Sequence, residues 1–320
     1  MVAHLSRYAS MAGMAAIVLG LWIARPDTFM TAQNLLNISQ QISMLVCVAS
    51  VMTLLMVTGD FDLSVGSMAS LSGVVAGAAF VAGWPVPVAI ALALAVGVLG
   101  GLINGVLVAV VGLLPFVATL ATLTAYSGVA FLVSNGRTIS GRAIPDVFGN
   151  FARGGLPLGT WGNKALVFPA LTVVALAVAA LCWLVLEKRR FGRWLYAIGS
   201  NAEAARLSGV QVWRIRLLAF VITGVGAAAA GLMIASRVAS ANPTQGDGIM
   251  LNAIAAVFLG MTLTRHGQPR VLATIVGVVV MGMLDNGLTQ LNVNSYVRQV
   301  LVGVIIVLAV SVATLARRWR

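Results

Sequence analysis

Residues 86–134 read VPVAIALALAVGVLGGLINGVLVAVVGLLPFVATLATLTAYSGVAFLVS. No Asp, Glu, Lys or Arg stands anywhere between Asp62 and Arg137. Gly112 and Pro115 divide the stretch into two apolar runs, 86–111 and 115–134. Each is long enough to cross a bilayer core of roughly 30 Å, which takes about 20 helical residues. Lipid offers backbone N–H and C=O groups no partner, so a run that crosses it must be a helix or part of a closed barrel. The stretch therefore reads as two membrane-spanning helices joined by a tight turn.

The rest of the chain is of the same kind. Its 320 residues are 60% apolar and 9% charged, with 20 basic and 8 acidic side chains. The mean hydropathy is +1.01. A water-soluble domain carries about 25% charge, so that class is excluded. The 34 glycines follow no period and there are only two cysteines, which excludes collagen and a disulfide scaffold. Cys47 and Cys182 both fall inside apolar runs and read as small buried residues. An isoelectric point near 11.3 does not point to nucleic acid, because the basic residues cluster between apolar runs, as membrane topology requires.

Reading for such runs gives about ten spans, near 8–24, 41–58, 64–83, 86–111, 115–134, 166–186, 216–236, 250–264, 271–290 and 297–315. The first is kept as a span rather than a cleaved leader, since Ala24-Arg25-Pro26-Asp27 is a poor cleavage site. The eighth is short enough to be broken or re-entrant. Ten spans place both termini on one side. That side carries thirteen of the 20 Lys and Arg residues, including Arg7, Lys188–Arg190, Arg193, Arg206 and Arg214. By the positive-inside rule both termini are cytoplasmic. The expected fold class is an all-α membrane protein, with residues 1–320 as a single transmembrane domain. A cytoplasmic loop spans 187–215 and an external loop 135–165.

Three groups of residues invite a role. Within the cytoplasmic loop, Ala202–Leu207 is a strong helix former, with Ser200 or Asn201 to cap its start and Gly209 to end it. A short helix between Gly199 and Gly209 suits docking of a soluble partner; the plain alternative is a solvated connector. Gly59-Asp60-Phe61-Asp62-Leu63-Ser64-Val65-Gly66-Ser67 joins the second and third spans. Acids at a membrane edge are costly unless hydrated or bonded, so Asp62 or Ser64 is expected to cap the third helix, with gating or ion binding as the sharper reading. The third group comprises polar side chains inside spans: Asn104, Thr119, Thr122, Thr124, Asp285 and Asn286. Neutral amides and hydroxyls with one acid suit an uncharged polyol or sugar better than an ion. Span threonines usually bond their own helix, so each is weak alone.

Gly97, Gly101 and Gly105 lie four apart, as do Gly73 and Gly77. Such spacing lets helix backbones approach closely. An internal echo is also present. Gly59-Asp60 is followed by Asn104-Gly105, and Gly246-Asp247 by Asn286-Gly287. On the expected topology the first acid faces inside and the second outside, which would make the units inverted repeats of the kind common in transporters.

Some chemistry is missing. The two lysines, Lys164 and Lys188, stand in no phosphate-binding G-x-x-x-x-G-K-[ST] loop, and His4 and His266 are isolated. Neither ATP hydrolysis by this chain, nor a hydrolase site, nor a metal site is readable.

These motifs together resemble the permease subunits of bacterial ABC-type monosaccharide importers, the ribose, xylose, galactose and arabinose group. The similarity runs from about residue 30 to 315. It rests on GDFDLSVGS at 59–67, LGGLINGVLV at 99–108, LPFVATLATL at 114–123, SNGRTI at 134–139 and ASRVASANPTQGDGIMLNAIAAVFLG at 235–260. The most specific match is FGRWLYAIGSNAEAARLSGV at 191–210, which is similar to the family's cytoplasmic coupling segment. The Gly-Asp-Phe-Asp form of the first motif looks most like L-arabinose permeases. The chain departs from the pattern at Ser200, Gly260-Met261 and Arg265-His266-Gly267-Gln268-Pro269.

The resemblance implies a ten-helix permease of two inverted halves, of the type II ABC importer kind, in the bacterial inner membrane. It implies a homodimer or a pair with a second permease, and a periplasmic sugar-binding protein on the outer face. It also implies a separate ATPase subunit, which holds ATP and Mg, while this chain binds no cofactor. The coupling residues would be Gly199, Asn201, Glu203, Ala204, Arg206, Leu207 and Gly209. The pathway would use Asn104, Thr119, Thr122, Asp285 and Asn286; the gating motif, Asp60, Asp62, Ser64 and Gly66. Two rivals make different demands. A secondary transporter would use Asp285 as its ion site and work alone, and a scaffold would bind a partner without flux.

Overall fold

The computed structural model describes residues 2–161, 164–264, 267–301, 303–305 and 307, with the backbone alone described for 2–10, 161 and 164–165. The chain is predominantly helical. In order, α1 (Val2–Ala24), α2 (Ala32–Val57), α3 (Val65–Val81), α4 (Val86–Ala109) and α5 (Pro115–Ser134) form the first part. Then come a short strand β1 (Ile139–Ser140), α6 (Asp146–Arg153) and a hairpin of β2 (Gly155–Trp161) and β3 (Lys164–Pro169). Next, α7 (Ala170–Trp183) continues through a π-turn to Lys188. The chain goes on through α8 (Arg190–Ser200), α9 (Ala202–Leu207), α10 (Val212–Val238), β4 (Ser240–Ala241), α11 (Ile249–Met261) and α12 (Val271–Gln290).

Six helices are long and apolar enough to cross a membrane: α2, α4, α5, α7 with its extension, α10 and α12. The apolar part of α1, together with α3 and α11, forms shorter apolar helices. The expected tenth span, 297–315, falls largely outside the described residues.

At the centre lie α2, α3 and α10, with 78% of the apolar window of α2 and 67% of that of α10 buried. Around them α4, α5 and α7 turn large apolar side chains outward, including Leu99, Leu114, Phe116 and Leu181. An apolar belt of that extent on a helical bundle is the surface a bilayer covers.

The α4–α10 crossing is backbone against backbone. A Cβ added at Gly97 would lie 2.6 Å from the Ala228 Cβ, and one at Gly101 would lie 2.5 Å from the Phe220 carbonyl oxygen. The spacing of these glycines thus serves close helix approach, as expected. Cys47 and Cys182 are both buried and free.

The contacts repeat with the helices exchanged. α4 and α3 pack on α10 as α12 and α11 pack on α2, while α2 and α10 pack on each other. The sense of each pair is antiparallel. Gly97 and Gly101 meet Gly224 and then Phe220, and Asn34 and Thr53 meet Asn286 and then Thr274. α2 and α10 are themselves antiparallel, with Cys47 against Gly226 and Asp60 against Arg216, so the two helix sets run in opposite directions through the bundle.

Several boundaries differ from the sequence reading. α2 begins at Ala32, not near 41, because Thr31 caps it by accepting the Asn34 N–H, and its polar first turns remain helical. The 135–165 segment is not an open loop: it holds α6 and a twisted hairpin. The 187–215 segment carries two helices, α8 and α9, instead of one.

The largest correction concerns Gly246-Asp247, expected at the outer surface. After α10 the chain descends again along α3. Ala241 reaches Gly77, and the Gly246 N–H donates to Ser70 Oγ at 2.8 Å. The reason lies in α11: its 13 residues span only about 20 Å at 1.5 Å per residue. It therefore starts deep, and Gly66 and Gly246 face each other without room for a side chain on either.

The crossing predicts that Gly101→Ala destabilises the protein by about 1–3 kcal/mol through overpacking. Gly128→Ala, where a Cβ meets nothing within 4 Å, should be neutral or slightly stabilising. Thermal unfolding in detergent separates the two; equal midpoints would contradict the packing account.

Candidate functional site

Two sites emerge side by side, at the end of the bundle where α2 stops. The first is built around 59–67. α2 ends at Val57, and Gly59 takes a φ of +86°, which turns the chain. Asp60 is buried and accepts from Thr58 Oγ1 at 2.9 Å and from Arg216 Nε at 2.7 Å. The Arg216 Nη2 completes a two-pronged ion pair with it. Such a pair fits the planar guanidinium and ties the end of α2 to the start of α10.

Asp62 is buried as well. It accepts the Ser64 N–H at 2.8 Å and the Ser64 Oγ at 2.6 Å. Asn104 Nδ2, on α4, reaches Asp62 Oδ2 at 3.2 Å and Ser64 Oγ at 2.8 Å. Thr122 Oγ1, on α5, donates to Asn104 Oδ1 at 2.7 Å. The cluster joins three helices through one carboxylate. Ser64 occupies the cap position of α3 but makes no side-chain cap bond. It serves Asp62, and its carbonyl accepts the Met68 N–H.

The second site is a ledge of α8 and α9. Leu195, Ile198 and Ala205 root it in an apolar cluster with Val57 and Ile215. Asn201 caps α9 by accepting the Ala204 N–H at 3.0 Å. Gly209, at φ +85°, ends it. From Asn201 to Gly209 every residue but Ala205 is exposed. Glu203 and Arg206 pair at 2.7 Å on the surface, and Leu207 is 79% exposed. Beneath the ledge, Tyr196 donates to Pro269 O at 3.1 Å, and burial pushes its phenol up. Gly199 abuts the Val57 carbonyl with no room for a Cβ. The ledge is thus one contact from Thr58 and Asp60.

The residues expected along a pathway are divided by the structure. Asn104 and Thr122 lie in the buried cluster rather than on a cavity wall. Thr119 is buried and bonds Pro115 O on its own helix at 2.8 Å. Asn286 is buried and accepts from Asn34 and Gln290. Asp285 lines a described cavity, and it is paired with Arg298 at 2.7 Å.

That cavity, of about 310 Å³ between α2, α10, α11 and α12, also receives Gln41, Gln245 and Asn252. Sequence reading passed over these three. Gln41 and Gln245 stood at or beyond expected span ends, and only the four-residue spacing of Gln33, Asn37 and Gln41 could have flagged a polar helix face. Among the described residues no group of three or more His, Cys, Asp or Glu could hold a metal.

Comparison with known proteins agrees with this architecture. Residues 34–310 match the family described as branched-chain amino acid transport system / permease component. The ribose import permease protein RbsC of Escherichia coli K12 is 39% identical over 89% of this chain and 86% of its own length. RbsC of Bacillus subtilis is 36% identical over 93% and 89%. The xylose transport system permease protein XylH of Escherichia coli K12 is 31% identical over 98% and 93%. No solved structure matches the chain.

Removing one member of the buried pair leaves the other uncompensated, which costs about 3–5 kcal/mol. Asp60→Ala should therefore lower the unfolding midpoint strongly, and Asp60→Leu with Arg216→Met should recover most of the loss. Additive losses in the double variant would show that the pair is not coupled.

Proposed function

The chain belongs to the family of branched-chain amino acid transport system / permease components, and from that premise we propose that it is the membrane-spanning subunit of an ATP-driven monosaccharide importer. The observation that carries this reading is the exposed α8–α9 ledge, rooted directly on the end of α2 and the Asp60–Arg216 pair. It suits a separate ATPase subunit, which would hold ATP and Mg while this chain contributes no ATPase site. Gly199, Asn201, Glu203, Ala204, Arg206, Leu207 and Gly209 form the docking surface. In this reading the ledge and both termini are cytoplasmic, the whole chain is one permease domain in the inner membrane, and it pairs with a second permease copy. A periplasmic binding protein delivers the sugar to the face that carries the β2–β3 hairpin.

The substrate class follows from the relatives and the cavity. RbsC and XylH are named for ribose and xylose, both pentoses. The cavity offers neutral amides, and its one acid is already paired with Arg298. That lining suits a polyol and offers no separate charged pair for a zwitterionic amino acid. A pentose is therefore favoured: ribose and xylose by the relatives, L-arabinose by the 59–67 motif. The Asp285–Arg298 pair also argues against Asp285 as the ion site of a secondary transporter.

Coupling would run from the ledge through Gly199 and Val57 to Thr58, Asp60 and α10. An ATPase can drive the two states only if it binds them with different free energies. The test is pentose uptake in proteoliposomes with ATPase, binding protein and internal ATP. Wild type should take up a pentose only with the full set, and excess leucine should not compete. Glu203→Lys and Gly209→Trp should each abolish uptake while leaving membrane insertion intact. Wild-type uptake by both variants would remove the docking assignment, and uptake by the chain alone would remove the ATP-driven reading.

A further inference from the structure

The half of α2 nearest the hairpin face carries Gln33, Asn37 and Gln41, one amide per helical turn, and all three are exposed. Their side chains make no hydrogen bond among the described residues, whereas the amides on the flanking faces are used. Asn34 bonds Asn286 of α12, and Gln40 bonds the Ala152 carbonyl of α6. Gln33 and Asn37 line an open cleft of about 800 Å³, which Gln290 also borders. Gln41 enters the 310 Å³ cavity with Gln245, Asn252 and Asp285. Past Leu45, α2 is buried through to Val57, so the cavity is closed toward the ledge. A face of unpaired amides on a spanning helix is not one that lipid covers.

We propose that this amide stripe is a hydrated path from the hairpin face, and that the cavity at its foot is a binding subsite for a neutral sugar, with Gln41 and Asn252 as its free hydrogen-bonding groups. The proposal rests on the importer reading and names the substrate site within it. Each amide both donates and accepts, as each sugar hydroxyl does. Asn252 likewise makes no side-chain bond among the described residues, so both groups are open to a ligand. Met44, Ile234 and Met281 supply apolar walls for the C–H faces of the ring. At about 30 Å³ per water, the cavity has room for roughly ten waters, enough for one pentose with some water beside it.

The test uses the full chain in proteoliposomes, with Cys47→Ala and Cys182→Ala as background. Single cysteines are introduced as Gln33→Cys, Asn37→Cys and Gln41→Cys, with Leu176→Cys on the outward apolar face of α7 as control. A charged, membrane-impermeant methanethiosulfonate reagent should modify the three stripe positions and spare the control. Ribose should slow modification at Gln41→Cys, and adding Asn252→Leu should raise the ribose concentration that halves the rate by about fivefold, the worth of one neutral hydrogen bond. Stripe positions no more reactive than the control, whether lipid or a second copy covers them, would overturn the path. Reactivity that neither ribose, xylose nor L-arabinose slows would overturn the subsite. If the stripe reacts as expected but the complete assembly takes up no pentose, the importer reading fails and the hydrated path stands. If uptake occurs while the stripe stays unreactive, the path alone fails.

Discussion

A bilayer supplies no hydrogen-bond partner, and the two carboxylates of the Gly59–Ser67 segment show what the protein must do in consequence. Asp60 is held by an arginine and a threonine, and Asp62 by a serine, its backbone N–H and an asparagine. Each carboxylate draws its partners from a different place, Asp60 from α10 and Asp62 from α4. Satisfying these two groups therefore fixes where α3 begins relative to both. Gly66, two residues past Ser64, is brought to Gly246 by the same placement.

The position of α3 leads to the inverted frame. Its start and that of α11 meet where Gly66 and Gly246 leave no room for side chains. Each short helix then runs away from the meeting point, one packed on α10 and the other on α2. Backbone contact at the α4–α10 crossing tolerates little sliding, since glycine carbonyls and Cα atoms fill the interface. The contacts of α2 with α11 and α12, by contrast, border the cavity.

The ledge and the cavity are connected through one helix. α2 has exposed amides at one end, a wholly buried middle, and at the other end a carbonyl pressed against Gly199 of α8. α8 touches the bundle directly at the Val57 carbonyl, next to the Thr58–Asp60–Arg216 group, and at Pro269 through Tyr196. That arrangement gives a docked partner a mechanical route into the bundle without any side chain reaching from one end to the other.

Composition and run length alone were enough for a helical membrane protein, because unbroken apolar runs of about 20 residues in 86–134 fit spanning helices, whereas barrel strands are about half that length. The short helix at 202–207 was legible for a similar reason: Asn201 caps its start and Gly209 ends it, so local rules place both. The glycine spacing at 97, 101 and 105 was legible as a contact face but not as a partner. What only the tertiary structure decided is everything that depends on long-range pairing. Asn104 and Thr122 read only as polar groups within spans, and the fold alone sets them across from Asp62. Gly246-Asp247 looked external until the chain was seen to turn back along α3. Gln41 carried no signal until α10, α11 and α12 closed a cavity around it. A buried amide in a knot and an exposed amide in a path have the same one-letter code, and only the neighbours brought by folding tell them apart.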